Sequence, residues 1–256
     1  VRVLFIGDIV GRPGRAVVGR FLRGLRQELA PGLVVANAEN AAGGFGITAG
    51  VAEELLALGI DLLTSGNHVW DKKEAQGVLA RERRLLRPAN YPEGVPGVGV
   101  ALWGPTDPRV GVVNLQGRVF MPATDCPFRV GLGIVETLRE TTPLILVDFH
   151  AEATSEKAAL AWYLDGKISA LVGTHTHVQT ADEQILPGGT AYLTDVGMTG
   201  ARDSVIGMEK DDAIRRFLTA LPTRFRTALG PPQLNAVLLD LDDESGRAKS
   251  ILRIQR

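Results

Sequence analysis

Short apolar runs, each ending in a polar motif, alternate along the chain with longer stretches in which apolar side chains recur every three to four positions. The first pattern predicts buried strands over 2–7, 33–37, 61–65, 97–103, 109–115, 143–149, 168–173 and 190–194. The second predicts helices over 14–29, 48–58, 71–86, 129–140, 154–164 and 209–220, with Pro88 and Pro143 stopping two of them. Alternation of this kind builds an α/β fold, with a parallel or mixed sheet covered by helices. Two further apolar stretches, 233–240 and 248–254, flank Asp243-Glu244-Ser245-Gly246 and predict a β-hairpin that closes a sheet edge.

A chain of 256 residues with 45% hydrophobic side chains can bury a large core as one domain. Residues 86–128, where Pro, Gly and aromatic residues cluster, are expected to be either a lid or substrate-specificity insertion or an irregular connection holding two strands. The formal net charge of −1 gives no electrostatic footprint for stable nucleic-acid binding, although a nucleotide substrate stays open. Cys126 is the single cysteine, which excludes an internal disulfide framework and a cysteine-based zinc site. The chain opens directly into Val3-Leu4-Phe5-Ile6, and no apolar run reaches membrane-spanning length. A cytoplasmic protein with no membrane partner is expected; a homo-oligomer is neither required nor excluded.

The polar ends of the apolar runs carry the chemistry. All four histidines lie in such motifs: Gly66-Asn67-His68, Asp148-Phe149-His150 and Gly173-Thr174-His175-Thr176-His177. Gly7-Asp8 and Asn37-Ala38-Glu39-Asn40 end two earlier runs. In a parallel sheet the loops after the carboxyl ends of strands meet along one edge, so these residues are expected to converge. His-x-His on extended backbone also puts both imidazoles on one side.

Each motif has a plainer reading: Asp8 as a helix cap, Asn37 to Asn40 as a polar turn, Asn67-His68 as a turn with a satisfied imidazole. Gly7-Asp8-Ile9-Val10-Gly11-Arg12-Pro13-Gly14 lacks dinucleotide-fingerprint spacing, and Pro13 reads as a helix-start residue. Asp148 and Asp182 suit caps, or partners that orient a metal-bound histidine, better than they suit ligands. Taken together, carboxylates, amides and imidazoles without thiolate fit two divalent first-row ions, Mn, Fe or Zn. Two such ions ~3.5–4 Å apart are the standard device for phosphate-ester hydrolysis. A carboxylate must then bridge them, and Glu39 is the expected bridge.

The same motifs, with Asp148-Phe149-His150-Ala151-Glu152, Val178-Gln179-Thr180-Ala181-Asp182 and Thr194-Asp195-Val196-Gly197-Met198-Thr199-Gly200, span most of the chain. They resemble the calcineurin-like metallophosphoesterases, most closely their YmdB-type bacterial branch. The resemblance implies an α/β sandwich of mixed sheets flanked by helices. It also implies phosphodiesterase activity on small cyclic nucleotides, with 2′,3′-cyclic AMP as leading candidate. Position by position it implies one metal on Asp8, Glu39, Asn40 and His177 and the other on Glu39, Asn67, His150 and His175, with His68 as general acid. The expected mechanism is attack on phosphorus by a metal-bridging hydroxide while His68 protonates the departing ribose oxygen.

The chain departs from the wider superfamily at two places. Val10 stands where the first motif usually has a second ligand, a histidine, and Glu39 stands where the bridge is usually Asp. With Asn40 in the histidine's place, iron or manganese is favoured over zinc. Gly44 and Phe45 in the glycine-rich stretch before Thr48, together with Gly197 and Met198, are expected to contact substrate; the alternatives are a flexible loop capped by Thr48 and a tight turn. The competing functions are a phosphomonoesterase acting on nucleotides or small metabolites, and a regulatory nucleotide-binding protein with structural metals.

Overall fold

The computed structural model describes residues 1–104 and 109–256. Fourteen strands and six helices follow one another among these residues. The chain begins with β1 (Arg2–Ile6), β2 (Asp8–Ile9), α1 (Gly11–Leu29), β3 (Leu33–Asn37), α2 (Ala49–Ala57), β4 (Leu62–Thr64) and α3 (Ala75–Arg81). Then come β5 (Val100–Trp103), β6 (Val110–Gln116), α4 (Pro127–Arg139), β7 (Ile145–His150), α5 (Thr154–Leu164) and β8 (Ala170–Thr174). The chain finishes with β9 (Gln184–Ile185), β10 (Ala191–Leu193), β11 (Met198–Ala201), α6 (Lys210–Thr219), β12 (Pro232–Gln233), β13 (Asn235–Leu241) and β14 (Ala248–Gln255).

Two large sheets lie face to face. One has the order β14-β13-β1-β3-β4, the other β5-β6-β7-β8-β10-β9. β1, β3 and β4 run parallel, as do β6, β7, β8 and β10. The hairpin β13–β14 adds antiparallel strands and closes one edge, as its sequence predicts.

Strand alternation sorts the core into layers. Val3, Phe5, Leu33 and Val35 of the first sheet pack against Val112, Leu146, Val172 and Leu193 of the second. Leu4, Ile6, Val34 and Ala36 face the other way, onto Val18, Leu22, Leu25 and Leu55 of α1 and α2. Val113, Ile145, Val147 and Phe149 likewise face Val135, Leu160 and Leu164 of α4 and α5. The result is a helix–sheet–sheet–helix sandwich. Each fully buried side chain of this size contributes about 1.5–3 kcal/mol.

The elements depart from the sequence expectation in a few places. α1 starts at Gly11, earlier than predicted, and Pro13 sits in its first turn, where backbone N–H groups have no helical partner to lose. The helix expected over 71–86 is only α3. Leu85 and Leu86 leave the helical path to bridge Leu63 and Val98, with Leu63 N and Leu86 N donating at 2.7 Å to Arg84 O and Leu63 O. Strand-like ladder bonds for two leucines at the edge of β4 win over continuing the helix. Residues 86–128 supply β5 and β6, and β6 is buried along its whole length between β5 and β7. A third, small sheet, β12-β11-β2, escaped the sequence reading because two of its strands are two residues long.

Candidate active site

The parallel strands end at one edge of the sandwich, and the polar motifs meet there across both sheets. Asp8 leaves β1 by pairing with Met198, β2 against β11. Glu39 and Asn40 follow β3, Asn67 and His68 follow β4, His150 ends β7, and His175 and His177 follow β8. Asp8, Glu39, Asn40 and His150 are all buried.

Four donor atoms from four strand ends face one another. His150 Nε2 lies 3.0 Å from Glu39 Oε1, 3.1 Å from Asn67 Oδ1 and 3.0 Å from His175 Nδ1. Ligand atoms sharing a cation through bonds of ~2.1 Å stand ~3.0–3.4 Å apart. Beside them, His177 Nε2 lies 3.0 Å from the amide nitrogen of Asn40 and 3.7 Å from Asp8 Oδ1. The Asn40 amide is also 3.2 Å from Glu39 Oε1, so Glu39 touches both groups. Asp8 Oδ1 is buried without a hydrogen-bond partner. A buried carboxylate oxygen left bare is costly, and a cation in this cage would satisfy it. The residues present therefore fit a divalent metal centre.

Each imidazole is held by its outward nitrogen. His150 Nδ1 is 2.9 Å from Thr174 Oγ1, which in turn donates to Asp148 Oδ1 at 2.8 Å. His175 Nε2 faces Glu152 Oε2 at 3.0 Å, and His177 Nδ1 faces the carbonyl of Ile206 at 2.8 Å. With a proton on each outer nitrogen the inner lone pair would face the cage, the usual arrangement behind metal-binding histidines. Asn37 joins the network by donating to Asp148 Oδ2 and accepting from Glu39 N. Gly66 makes room for it all: a Cβ there would fall 2.1 Å from the His150 ring.

The charges of the metal-free cage follow from burial and proximity. Burial works against the carboxylate of Glu39, but the charge and hydrogen bond of His150 win and bring it down to about 2. Burial likewise disfavours charged His150, yet Glu39 beside it raises its pKa to about 9. Burial and the charge of His150 push His175 down to about 3. Asp148, driven mainly by burial, rises to about 7, and burial raises Asp8 against the pull of His177 and His150. Without a cation, Glu39 and His150 thus each favour the charged form of the other.

The loop that carries His175 and His177 is anchored from below by a buried ion pair. Lys157 of α5 donates to Asp195 Oδ2 at 2.8 Å, and both side chains are fully buried. The same oxygen accepts from Thr176 N at 3.0 Å, and Asp195 Oδ1 accepts from Gly197 N at 2.8 Å. His175 and His177 both adopt left-handed backbone, with φ of 102° and 65°. Such conformations persist only where the surroundings fix them. Asp182, expected as a partner or cap, instead accepts from the Thr194 amide at 3.3 Å and from its hydroxyl.

Next to the cage opens a cavity of about 380 Å³ lined by Glu39, Asn40, His68, His175 and His177. His68 stands clear of the four mutually facing donors. Its Nδ1 is 2.8 Å from Asp71 Oδ2, and its backbone N–H donates to Glu39 Oε2 at 3.1 Å. Of the four expected substrate contacts, Phe45 lines this cavity, edge-on to His68 with ring centroids 4.9 Å apart. Gly44, Gly197 and Met198 do not line it. Gly44 packs against Met208 and Thr227, Gly197 lets its carbonyl approach Gly7 and Asp8, and Met198 is buried beside Val10. Among the described residues of 86–128, none lines the cavity; apart from Phe45, its apolar lining comes from 205–225. The sequence reading missed that wall, the outer partners Thr174 and Ile206, and the roles of Glu152 and Lys157. Glu152 and Thr174 had a visible signal, since both stand in the polar motifs that hold the histidines.

A two-sheet sandwich with a buried cage of carboxylate, amide and imidazole donors at its strand ends defines a metallophosphoesterase. Within that class the chain belongs to the family of YmdB-like proteins, whose pattern it matches over residues 4–254. It is 49% identical over 254 residues to a 2′,3′-cyclic-nucleotide 2′-phosphodiesterase of Bacillus subtilis (strain 168), covering 99% of this chain and 96% of that one. A hypothetical protein from Thermus thermophilus superimposes with a TM-score of 0.94 at 44% identity, covering 100% of this chain and 99% of that one. A Mycoplasma pneumoniae structure described as a novel phosphatase gives a TM-score of 0.94 at 33% identity, covering 100% and 93%. No helix among the described residues is long and apolar enough to cross a membrane.

Proposed function

We propose that the protein is a cytoplasmic, metal-dependent phosphodiesterase that hydrolyses small 2′,3′-cyclic nucleotides, with 2′,3′-cyclic AMP as leading substrate. The observation that carries this reading is the opening of the donor cage onto a cavity that also holds His68, an imidazole outside the cage and braced by Asp71. The Bacillus subtilis relative's activity, at 49% identity, supports the choice of substrate.

Asp8, Glu39, Asn40 and His177 would hold one divalent ion, and Glu39, Asn67, His150 and His175 the other. When bound, such a pair supplies an activated water and neutralises charge on the phosphate. The cage is rich in oxygen donors, and Asn40 takes the place of an imidazole, which favours iron or manganese over zinc. His68 would donate a proton to the leaving ribose oxygen from the nitrogen that Asp71 does not engage. Glu152, Thr174 and Ile206, each against the outer nitrogen of one imidazole, would hold these three ligands in the tautomer that leaves the inner nitrogen free for metal.

The competing activity, monoester hydrolysis, is separated by comparing bis-p-nitrophenyl phosphate with p-nitrophenyl phosphate in the presence of Mn²⁺ or Fe²⁺. Faster turnover of the diester is expected. Preference for the monoester would overturn the diesterase assignment.

A further inference from the structure

Part of the cavity wall is not required by phosphate chemistry. Val205, Ile206, Met208, Phe217 and Phe225 line the same cavity as His68, His175 and His177, and none has a side-chain group that hydrogen-bonds strongly. The wall is nevertheless built to a fixed position. Val205 and Met208 exchange backbone hydrogen bonds of 2.9 and 3.0 Å around a tight turn in which Ile206 and Gly207 both take left-handed backbone. Asp212 of α6 grips Arg226 through two hydrogen bonds of 2.8 and 2.9 Å, tying the helix that carries Phe217 to the segment that carries Phe225. The Ile206 carbonyl at the head of the turn is the group that faces His177 Nδ1. The apolar wall is therefore set in register with one of the metal-facing imidazoles.

The wall is also unfinished. Phe217 is 84% exposed although it borders the cavity, and Ile206 is 49% exposed. A phenyl ring left in water beside a cavity gains most when a flat apolar surface covers it. The occupant is defined by continuity: whatever places a phosphate at the metal donors must lay the rest of itself along this wall.

We infer that the wall formed by Val205, Ile206, Met208, Phe217 and Phe225 is a subsite for the planar heteroaromatic ring of a nucleoside phosphate, with Phe217 folding onto that ring. Resting on the phosphoesterase reading, this assigns a specificity function to α6 and the turn before it. Affinity for the ring comes from stacking, and the phosphate fixes which end enters.

Equilibrium binding separates this inference from the proposed activity. Protein loaded with Mn²⁺ is titrated calorimetrically with adenosine 3′-monophosphate and, separately, with inorganic phosphate. The nucleotide should bind at least ~10-fold more tightly, within the range of one base–aromatic stack. Phe217→Ala should remove most of that advantage and Phe217→Trp should keep it. A wild-type protein that binds both probes equally, or a Phe217→Ala variant with the advantage intact, would overturn the subsite. If the advantage follows the variants but the wild type leaves 2′,3′-cyclic AMP intact, the subsite stands and the diesterase assignment falls.

Discussion

The proposed chemistry turns on His68, which stands apart both from the four mutually facing donors and from the Asp8, Asn40 and His177 group beside them. Its Nδ1 is held by Asp71 and its ring edge by Phe45, so one nitrogen remains for proton transfer in the cavity. Proton donation by a positioned side chain contributes ~10²–10⁴ in rate. His68→Ala should therefore lower kcat on 2′,3′-cyclic AMP by a factor in that range while metal analysis still finds two ions per chain. Loss of metal in that variant would make His68 a ligand, and an unchanged kcat would remove it from the reaction. The four histidines were legible as a group in the sequence, since all stand at the ends of apolar runs. Their outer partners were not: Ile206 meets His177 through a backbone carbonyl, which side-chain identity cannot signal.

At the scale of elements, the loop after β8 carries His175 and His177 on left-handed backbone, and α5 holds it down through Lys157 and Asp195. Removing one partner of a buried pair leaves the other charged and uncompensated, a cost of ~3–5 kcal/mol. Lys157→Met should show a loss of that size in denaturant unfolding, and Lys157→Met with Asp195→Asn should recover part of it. A single variant as stable as the wild type would mean that the pair does not anchor the loop. The large sheets and most helices were legible because each carries its own periodicity, down to the cap of α2, where Thr48 Oγ1 accepts from Val51 N at 3.3 Å. The small sheet was not, because β2 and β12 are too short to show alternation. The cavity wall was hidden for another reason. α6 reads as an ordinary amphipathic helix, and only tertiary placement puts Phe217 on the cavity that His68 also lines.

For the whole molecule, folding gathers carboxylates and imidazoles into one buried cage. In the metal-free protein His150, facing Glu39, Asp8 and Asp148, has its pKa raised from 6.5 to about 9, so its contribution to stability is complete below pH 6.5 and is lost as pH rises through 9. His175 and Asp148 oppose each other at lower pH. His175, lowered to about 3, favours the folded state as pH rises towards 6.5, whereas Asp148, raised to about 7, favours it less as pH rises from 3.8 to 7. Between pH 7 and 9 His150 acts without them, so denaturant unfolding should show the metal-free protein weakening across that interval, by at most ~1.4 kcal/mol per pH unit. Rising stability there would contradict the assignment of a proton to His150. A divalent ion held by Glu39 and His150 would compete with protonation of the imidazole, so its binding would release protons. The most direct measurement is turnover of 2′,3′-cyclic AMP by metal-free protein as Mn²⁺ or Fe²⁺ is added in known equivalents. Activity should rise with the second equivalent per chain and be absent before any metal is added; full activity without metal, or after a single equivalent, would contradict a two-ion phosphodiesterase.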